Sequence, residues 1–356
     1  MQYEYKNILV LEGGPRVLYT HYLIKELHEQ FNIPFDNVDL VIGTSLASTL
    51  LFCKTIKQQE EFAMQVGSKL SLSPLWNTRH HPELATTEFY KDLDIPSFDQ
   101  YLYKRFAVMC ATKKIKNGKP TVLPYLFRNY HNPNNITSKV EGCTFGVESS
   151  AKDILHACTA IPFYSVPIQY PNLPGSRFIE ASIYSNSPLE VAYHEAMAIW
   201  PPQPNIYIKF NFICLGVGLD SRRYSVDTIG QPLNLDGSIT DLSYTSEATF
   251  ERMNRFKERQ ESNSNICLAR VNVIDGEFNQ EGHTFQTIDK KEVVKPLDNR
   301  VYDNDIAGQK ARDTLAKSAK KAIKDNLNLF SFHKNYSSTT TTTKSSYVVA
   351  DDDQIF

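Results

Sequence analysis

Ser45 closes a short apolar run, Val38-Asp-Leu-Val-Ile-Gly43-Thr44-Ser45-Leu46-Ala47-Ser48, in the order of a nucleophile elbow. A strained strand-to-helix turn holds a serine hydroxyl above a sheet edge and aims the first helical N–H groups at whatever bonds there. That arrangement suits acyl transfer, because a hydroxyl plus backbone donors supply both a nucleophile and electrostatic stabilisation. The Gly-x-Ser-x-Gly pattern is incomplete, since Ala47 stands in its last place. Val38 to Ile42 alternates too little for a half-exposed strand and reads as buried, while Leu46 to Lys54 is apolar and free of helix breakers. Read alone, the segment also fits a Gly-Thr-Ser turn that caps a helix through Thr44 or Ser45.

A second loop lies upstream. Asn7 to Glu12 reads as another buried strand, followed by Gly13-Gly14-Pro15-Arg16 and a helical stretch from Val17 to Gln30. Two glycines between a strand and a helix let the backbone approach an anion closely, and the helix N-terminus adds favourable dipole charge. The spacing of a dinucleotide loop is missing and no Gly-Lys-Ser/Thr follows, which argues against a nucleotide. Open parallel sheets bind ligands at successive strand ends, so one loop could supply a nucleophile and the other oxyanion donors.

The nine histidines include His21, His28, His156, His194 and His283. A serine, acid, histidine order would nominate Ser45, Glu180 or Asp220, and His283, although Gly282-His-Thr-Phe reads as a structural strand start. No His-Glu-x-x-His and no paired cysteine spacing occurs, so neither metal nor cofactor is expected. The six cysteines are widely spaced in apolar runs, as small core residues of a reducing compartment are. Met1 to Lys6 has no basic region followed by a hydrophobic stretch, which argues against secretion and a membrane anchor. The expected location is cytoplasmic, with peripheral membrane contact where a lipid is met. A net charge of −2 over 356 residues, 41% of them hydrophobic and 22% charged, fits one large globular domain and gives no field for nucleic acid. The basic runs at Lys113 to Lys116 and Lys317 to Lys324 read as a solvated hairpin and a helix face.

These motifs and their order resemble the patatin-like phospholipases, particularly the eukaryotic branch of fungi and plants. That family opens with a strand ending Asp-Gly-Gly-Gly-x-Arg-Gly, matched by Glu12-Gly13-Gly14-Pro15-Arg16-Val17, and its elbow Gly-Thr-Ser-Thr-Gly-Gly is matched by Gly43 to Ser48. The similarity continues through Phe106 to Thr112, Leu126 to Tyr130, Ala157 to Phe163, Phe178 to Pro188 and Leu215 to Gly218, covering roughly residues 5 to 255. It implies an α/β, three-layer patatin-like fold with a mainly parallel central sheet and a serine nucleophile elbow. Strands near 7–12, 38–42, 106–111 and 209–215 should form its centre. It further implies a lipid acyl hydrolase of phospholipase A or esterase type, working through a serine and acid dyad on a lipid or small ester. The residues that match are Ser45 and Glu180 as the dyad, Gly13, Gly14 and Arg16 in the oxyanion loop, and Gly43 and Ala47 in the elbow.

Three departures surround the serine. Glu180 replaces the family's aspartate and is followed by Ala181 and Ser182 where small Gly-Gly or Gly-Ala residues are usual. A glutamate has a comparable reference pKa, about 4.3 against about 3.9, but its extra methylene moves the carboxylate. Pro15 lacks an N–H beside a loop that is one glycine short. Ala47 adds a methyl close to the elbow helix. Weak hydrolysis is therefore one expectation; the alternative is a catalytically inactive patatin-like protein, a pseudoenzyme that binds a lipid or a protein partner in the inherited cleft.

The remaining chain supports these motifs. About fifty residues after the elbow helix, with Phe62, Met64, Leu70, Leu72, Leu75, Trp76 and then Arg79-His80-His81-Pro82, stand where the family places a longer cap. Pro188 to Trp200 reads as a helix with Leu189, Ala192, Ala196 and Ile199 on one face and Glu190 and Glu195 away from it. Helices are also expected over 245–261 and 306–327, and a strand with a hairpin over 266–288. Residues 1–330 form the patatin-like domain of this reading, and 331–356, rich in Ser, Thr and Asp, a low-complexity tail without packing periodicity.

Overall fold

The computed structural model describes residues 2–14, 17–31, 35–72, 101–116, 119–132, 134, 140–144, 151–160, 167–170, 176–216, 219–220, 245–260, 265–271, 274–275, 302 and 305–325. Arg16, the segment from Leu75 to Pro82, His283 and the 331–356 tail lie outside them.

Apolar runs with little alternation assemble side by side. β1 (Gln2–Leu11) pairs in parallel with β2 (Leu40–Thr44) on one side and, along its whole length, with β7 (Ile206–Leu215) on the other. β2 continues in parallel to β3 (Phe106–Lys116), and β9 (Ile266–Val271) lies parallel beyond β7. β4 (Lys119–Arg128) returns antiparallel from β3 and carries β5 (Glu141–Thr144) on its far edge. The order is β5-β4-β3-β2-β1-β7-β9, and an eighth strand, β6 (Arg177–Glu180), also pairs with β3. Fold and strands agree with the sequence reading: an α/β molecule with a mainly parallel central sheet, in which Glu12 and Ile42 follow or lie in adjacent strands.

Alternate residues of each strand point to opposite faces, and both faces are covered, which is why the strands read as unbroken apolar runs. Leu9, Leu11, Val41, Phe106 and Val108 face one core with α1 (Val17–Phe31), α2 (Ile56–Leu72), α3 (Ala151–Cys158) and α6 (Ile306–Asp325). Ile8, Val10, Leu40, Ile42, Ala107 and Met109 face the other, with α4 (Leu189–Ile199) and α5 (Thr245–Arg259). These are three layers. In α6, Ala311, Leu315, Ala319, Ala322 and Ile323 are buried, and the alanines let the helix lie close to α1. Leu315 and Ile323 each contribute roughly 1.5–3 kcal/mol by leaving water. Among the described residues no helix is long and apolar enough to cross a membrane.

Two local expectations, the hairpin and the outward Glu195, fare differently. β9 joins β7 in parallel, and β10 (Ile274–Asp275) pairs in parallel with β8 (Leu219–Asp220) in a separate two-stranded sheet, while the rest of the hairpin expected up to residue 288 lies outside the described residues. Glu195 is not turned away from the core but wholly buried, with its carboxylate gripped by Arg128 at 2.6 Å and 2.8 Å, Tyr130 at 2.9 Å and Asn132 at 3.0 Å. At 100° per residue, Glu195 lies only about 60° from Ala192, at the margin of the apolar stripe. Glu190 does face outward, bonded to Arg252 at 2.7 Å.

The two histidines of α1 also have partners that the sequence conceals. His28 Nε2 lies 3.1 Å from the Tyr103 hydroxyl and the ring stacks on Phe35. Gln59 donates its amide to Leu50 O, so its Oε1 faces His21 Nδ1 at 3.0 Å and accepts the proton there. His21 Nε2 is then 3.8 Å from Glu60, which also accepts from Tyr22. The His21 contact holds the Glu60 carboxyl down at about 2. A depressed carboxyl stabilises the fold above its ordinary value and loses that contribution as pH falls through about 2. Glu60→Gln should therefore be less stable than wild type near neutrality, with the gap closing in strong acid; urea denaturation across that range checks it, and a pH-independent gap would contradict it.

Candidate active site

Two strands meet end to end along one edge of β3. Thr44, the last residue of β2, is opposite Met109, and Glu180, the last residue of β6, is opposite the very next position, Cys110. The chain turns sharply at both ends. Ser45 takes φ 50, a left-handed conformation costly for a side chain-bearing residue, and starts a 3-10 helix, Ser45–Phe52. Glu180 precedes a single 3-10 turn, Ala181–Ile183. The serine and glutamate side chains, 6% and 2% exposed, are thereby brought together.

The carboxylate is more deeply sequestered than an ordinary glutamate. Burial pushes its pKa up to about 7, against the opposing pull of the Ser182 hydroxyl, the Ser182 N–H and, weakest of the three, Ser45. Ser182 Oγ donates to Glu180 Oε2. Oε1 is buried with no hydrogen bond among the described residues, and Ser45 exerts the weakest pull on the carboxyl. Cys110 and Cys158 also face this carboxylate, and burial raises both thiols, Cys158 to about 12, which keeps them uncharged. Cys158 sits under the elbow: its Sγ is 3.2 Å from Ser48 Oγ, and Ser48 Oγ donates to Ser45 O at 2.5 Å.

Asn186 joins the glycine loop to the elbow. Its carbonyl accepts from Gly13 N–H at 3.1 Å and from Thr44 Oγ1 at 2.7 Å. Its side-chain amide donates to Gly13 O at 2.8 Å and to Ser246 Oγ, at the start of α5, at 3.1 Å. A Cβ at position 13 would lie 2.6 Å from Asn186 Oδ1, 2.8 Å from Ser45 Cβ and 2.9 Å from Thr44 Oγ1. Only glycine allows this approach. The consequence for an oxyanion is specific. Gly13 N–H is already committed, whereas Gly14 N–H meets no acceptor among the described residues, and the first N–H groups of the elbow helix have none within that helix.

The structure thus brings together Ser45, Glu180, Gly13, Gly14 and Gly43, while Arg16 lies outside the described residues. Ala47 is fully buried, its methyl packed in the core shared with α1. At Gly43 a Cβ would come 3.0 Å from Ser48 Cα. Sequence reasoning missed Ser182 as a partner of the acid, Asn186 as the brace, and Arg270, which forms a buried bidentate pair with Glu12 at 3.0 Å and 2.7 Å. The one local signal for the last was an arginine inside the apolar run Ile266–Val271. Among the described residues no group of three or more His, Cys, Asp or Glu side chains is placed to hold a metal ion.

No family model matches the chain, and no curated protein matches it. Among solved structures it is similar to the crystal structure of VipD from Legionella pneumophila over 90% of this chain and 67% of that one. The identity is 8% and the TM-score 0.33, a likeness that carries no argument about function.

Proposed function

We propose that the chain is a patatin-like serine acyl hydrolase, acting on a carboxylic ester such as a phospholipid or a neutral glycerolipid, from the cytoplasm and by peripheral contact with its lipid. The observation that carries this reading is a serine at φ 50, on a strand-turn-helix, whose side chain meets a buried carboxylate. In this mechanism Ser45 Oγ attacks the ester carbonyl while its proton passes to Glu180 Oε1. The developing oxyanion takes hydrogen bonds from Gly14 N–H and the first N–H groups of the elbow helix. Glu180 returns the proton to the departing alkoxide, leaving an acyl-serine that water hydrolyses with Glu180 again as base.

A second reading, a catalytically inactive protein that binds a lipid or protein partner in the same cleft, is favoured by two details. Glu180 is held more strongly by Ser182 than by Ser45, and one of the two glycine N–H groups is already taken. A fluorophosphonate probe separates the readings. Wild type should be labelled and Ser45→Ala spared; a folded wild-type protein that resists labelling from acid to alkaline pH would favour the binding protein.

A further inference from the structure

We propose that Ser182 is a positioning residue: by holding Oε2 of Glu180 it fixes the carboxylate in one orientation and leaves Oε1 turned to the Ser45 hydroxyl as the proton acceptor. The inference rests on the hydrolase reading for its purpose and on geometry for its substance. A glutamate has one more rotatable bond than an aspartate, so a base of this length needs a second contact to be held within the small tolerance of proton transfer. Ser182, two residues on and inside the 3-10 turn that Glu180 begins, supplies that contact, and its side chain is itself buried. The two features that set this chain apart at the acid, a longer carboxylate and a hydroxyl two residues later, therefore form one unit.

The surroundings leave few other groups to do this work. Facing the carboxylate are Cys110 from β3, Cys158 from α3 and Ser45 from the elbow, and both thiols are uncharged. Among the described residues no cation is paired with Glu180, so its ionised form depends on hydroxyl and N–H donors. Ser182 is the strongest of them. One oxygen engaged and one buried with no hydrogen bond among the described residues is an unusual state for a carboxylate, since buried acceptors are almost always satisfied. It is the state a poised base requires.

The test is the pH dependence of fluorophosphonate labelling in wild type, Ser182→Ala and Ser182→Thr, with ¹³C NMR titration of the Glu180 carboxyl, assigned by Glu180→Gln, as an independent readout. Ser182→Ala should lower the labelling rate near neutrality about tenfold and move both midpoints up by about one pH unit, with the rate recovering in alkali and Ser182→Thr restoring wild-type behaviour. Ser182→Gly repeats the measurement should the alanine variant not fold. Robust labelling with unchanged midpoints in the alanine or glycine variant overturns the positioning role and leaves the hydrolase reading intact. An unlabelled wild type whose Glu180 titration nevertheless moves on removal of the Ser182 hydroxyl supports the positioning and overturns the hydrolase.

Discussion

Glu180→Gln is expected to lower ester hydrolysis by about 10²- to 10⁴-fold while leaving the protein folded, because in the proposed reaction it removes the proton acceptor and keeps the shape. The same carboxyl predicts how wild type responds to pH. With its pKa at about 7, activity should climb through neutrality to an alkaline plateau, well above the range in which an exposed glutamate would act as a base. Stability should move the opposite way. A carboxyl whose folded pKa is raised from 4.5 to about 7 binds its proton more tightly in the native state, so its contribution is fully present below 4.5 and is lost as pH rises through about 7. The span corresponds to ~3 kcal/mol, so Glu180→Gln should gain stability relative to wild type by up to that order at alkaline pH. Chemical denaturation at acid and alkaline pH measures it. Hydrolysis unaffected by Glu180→Gln but abolished by Ser45→Ala would implicate another base and turn attention to Asp220 and His283.

The largest effect on stability is expected at the pair that ties α4 to β4. Arg128 is 1% exposed and Glu195 0%, and their bidentate contact is completed by Tyr130 and Asn132 on the carboxylate and by Val140 O at 3.4 Å on the guanidinium. Removing one partner strands a charge in the interior. Arg128→Met should cost roughly 3–5 kcal/mol, a large part of the total stability of an ordinary domain. Arg128→Met combined with Glu195→Leu should cost much less than the sum of the single changes, since the stranded charge disappears while only neutral groups, the Tyr130 and Asn132 donors and Val140 O, lose a contact. Additive losses in urea denaturation would show that the two charges do not act as a pair. The site should feel these changes, because α4 follows directly from Asn186, which braces the glycine loop.

What the sequence disclosed and what it withheld divide along a physical line. β1, β2, β3 and β7 are visible as apolar runs because both faces of the sheet are covered, and the elbow is visible because Gly43, Thr44 and Ser45 occur in a fixed local order. Helices α1, α4, α5 and α6 follow from periodicity for the same reason. The partners of buried polar groups are not local. Glu195 reads as a surface residue until Arg128, sixty-seven positions away, is placed beside it. His21 has no visible role without Gln59, nor Glu12 without Arg270. Ser182 looks like a departure from a small-residue motif, and only the fold turns its hydroxyl onto the acid. Gly13 and Gly14 look equivalent in sequence, and only Asn186 distinguishes the committed N–H from the available one.

The bracing contacts of Asn186 join positions 173 and 142 residues apart, and the Glu12 to Arg270 pair spans 258. Closing such long loops is a modest thermodynamic expense, growing by only ~0.6 kcal/mol with each doubling of length. It is kinetically demanding, because contacts remote in sequence form slowly. No short stretch of the chain therefore carries the chemistry with it. A graft of residues 38–54 into another scaffold would transplant a turn and a hydroxyl, but neither the acid that faces it nor the asparagine that draws the glycine loop alongside. Whatever reactivity Ser45 has belongs to the assembled sheet, and recombination that kept the elbow while exchanging residues 177–187 would separate the serine from its surroundings as surely as removing it.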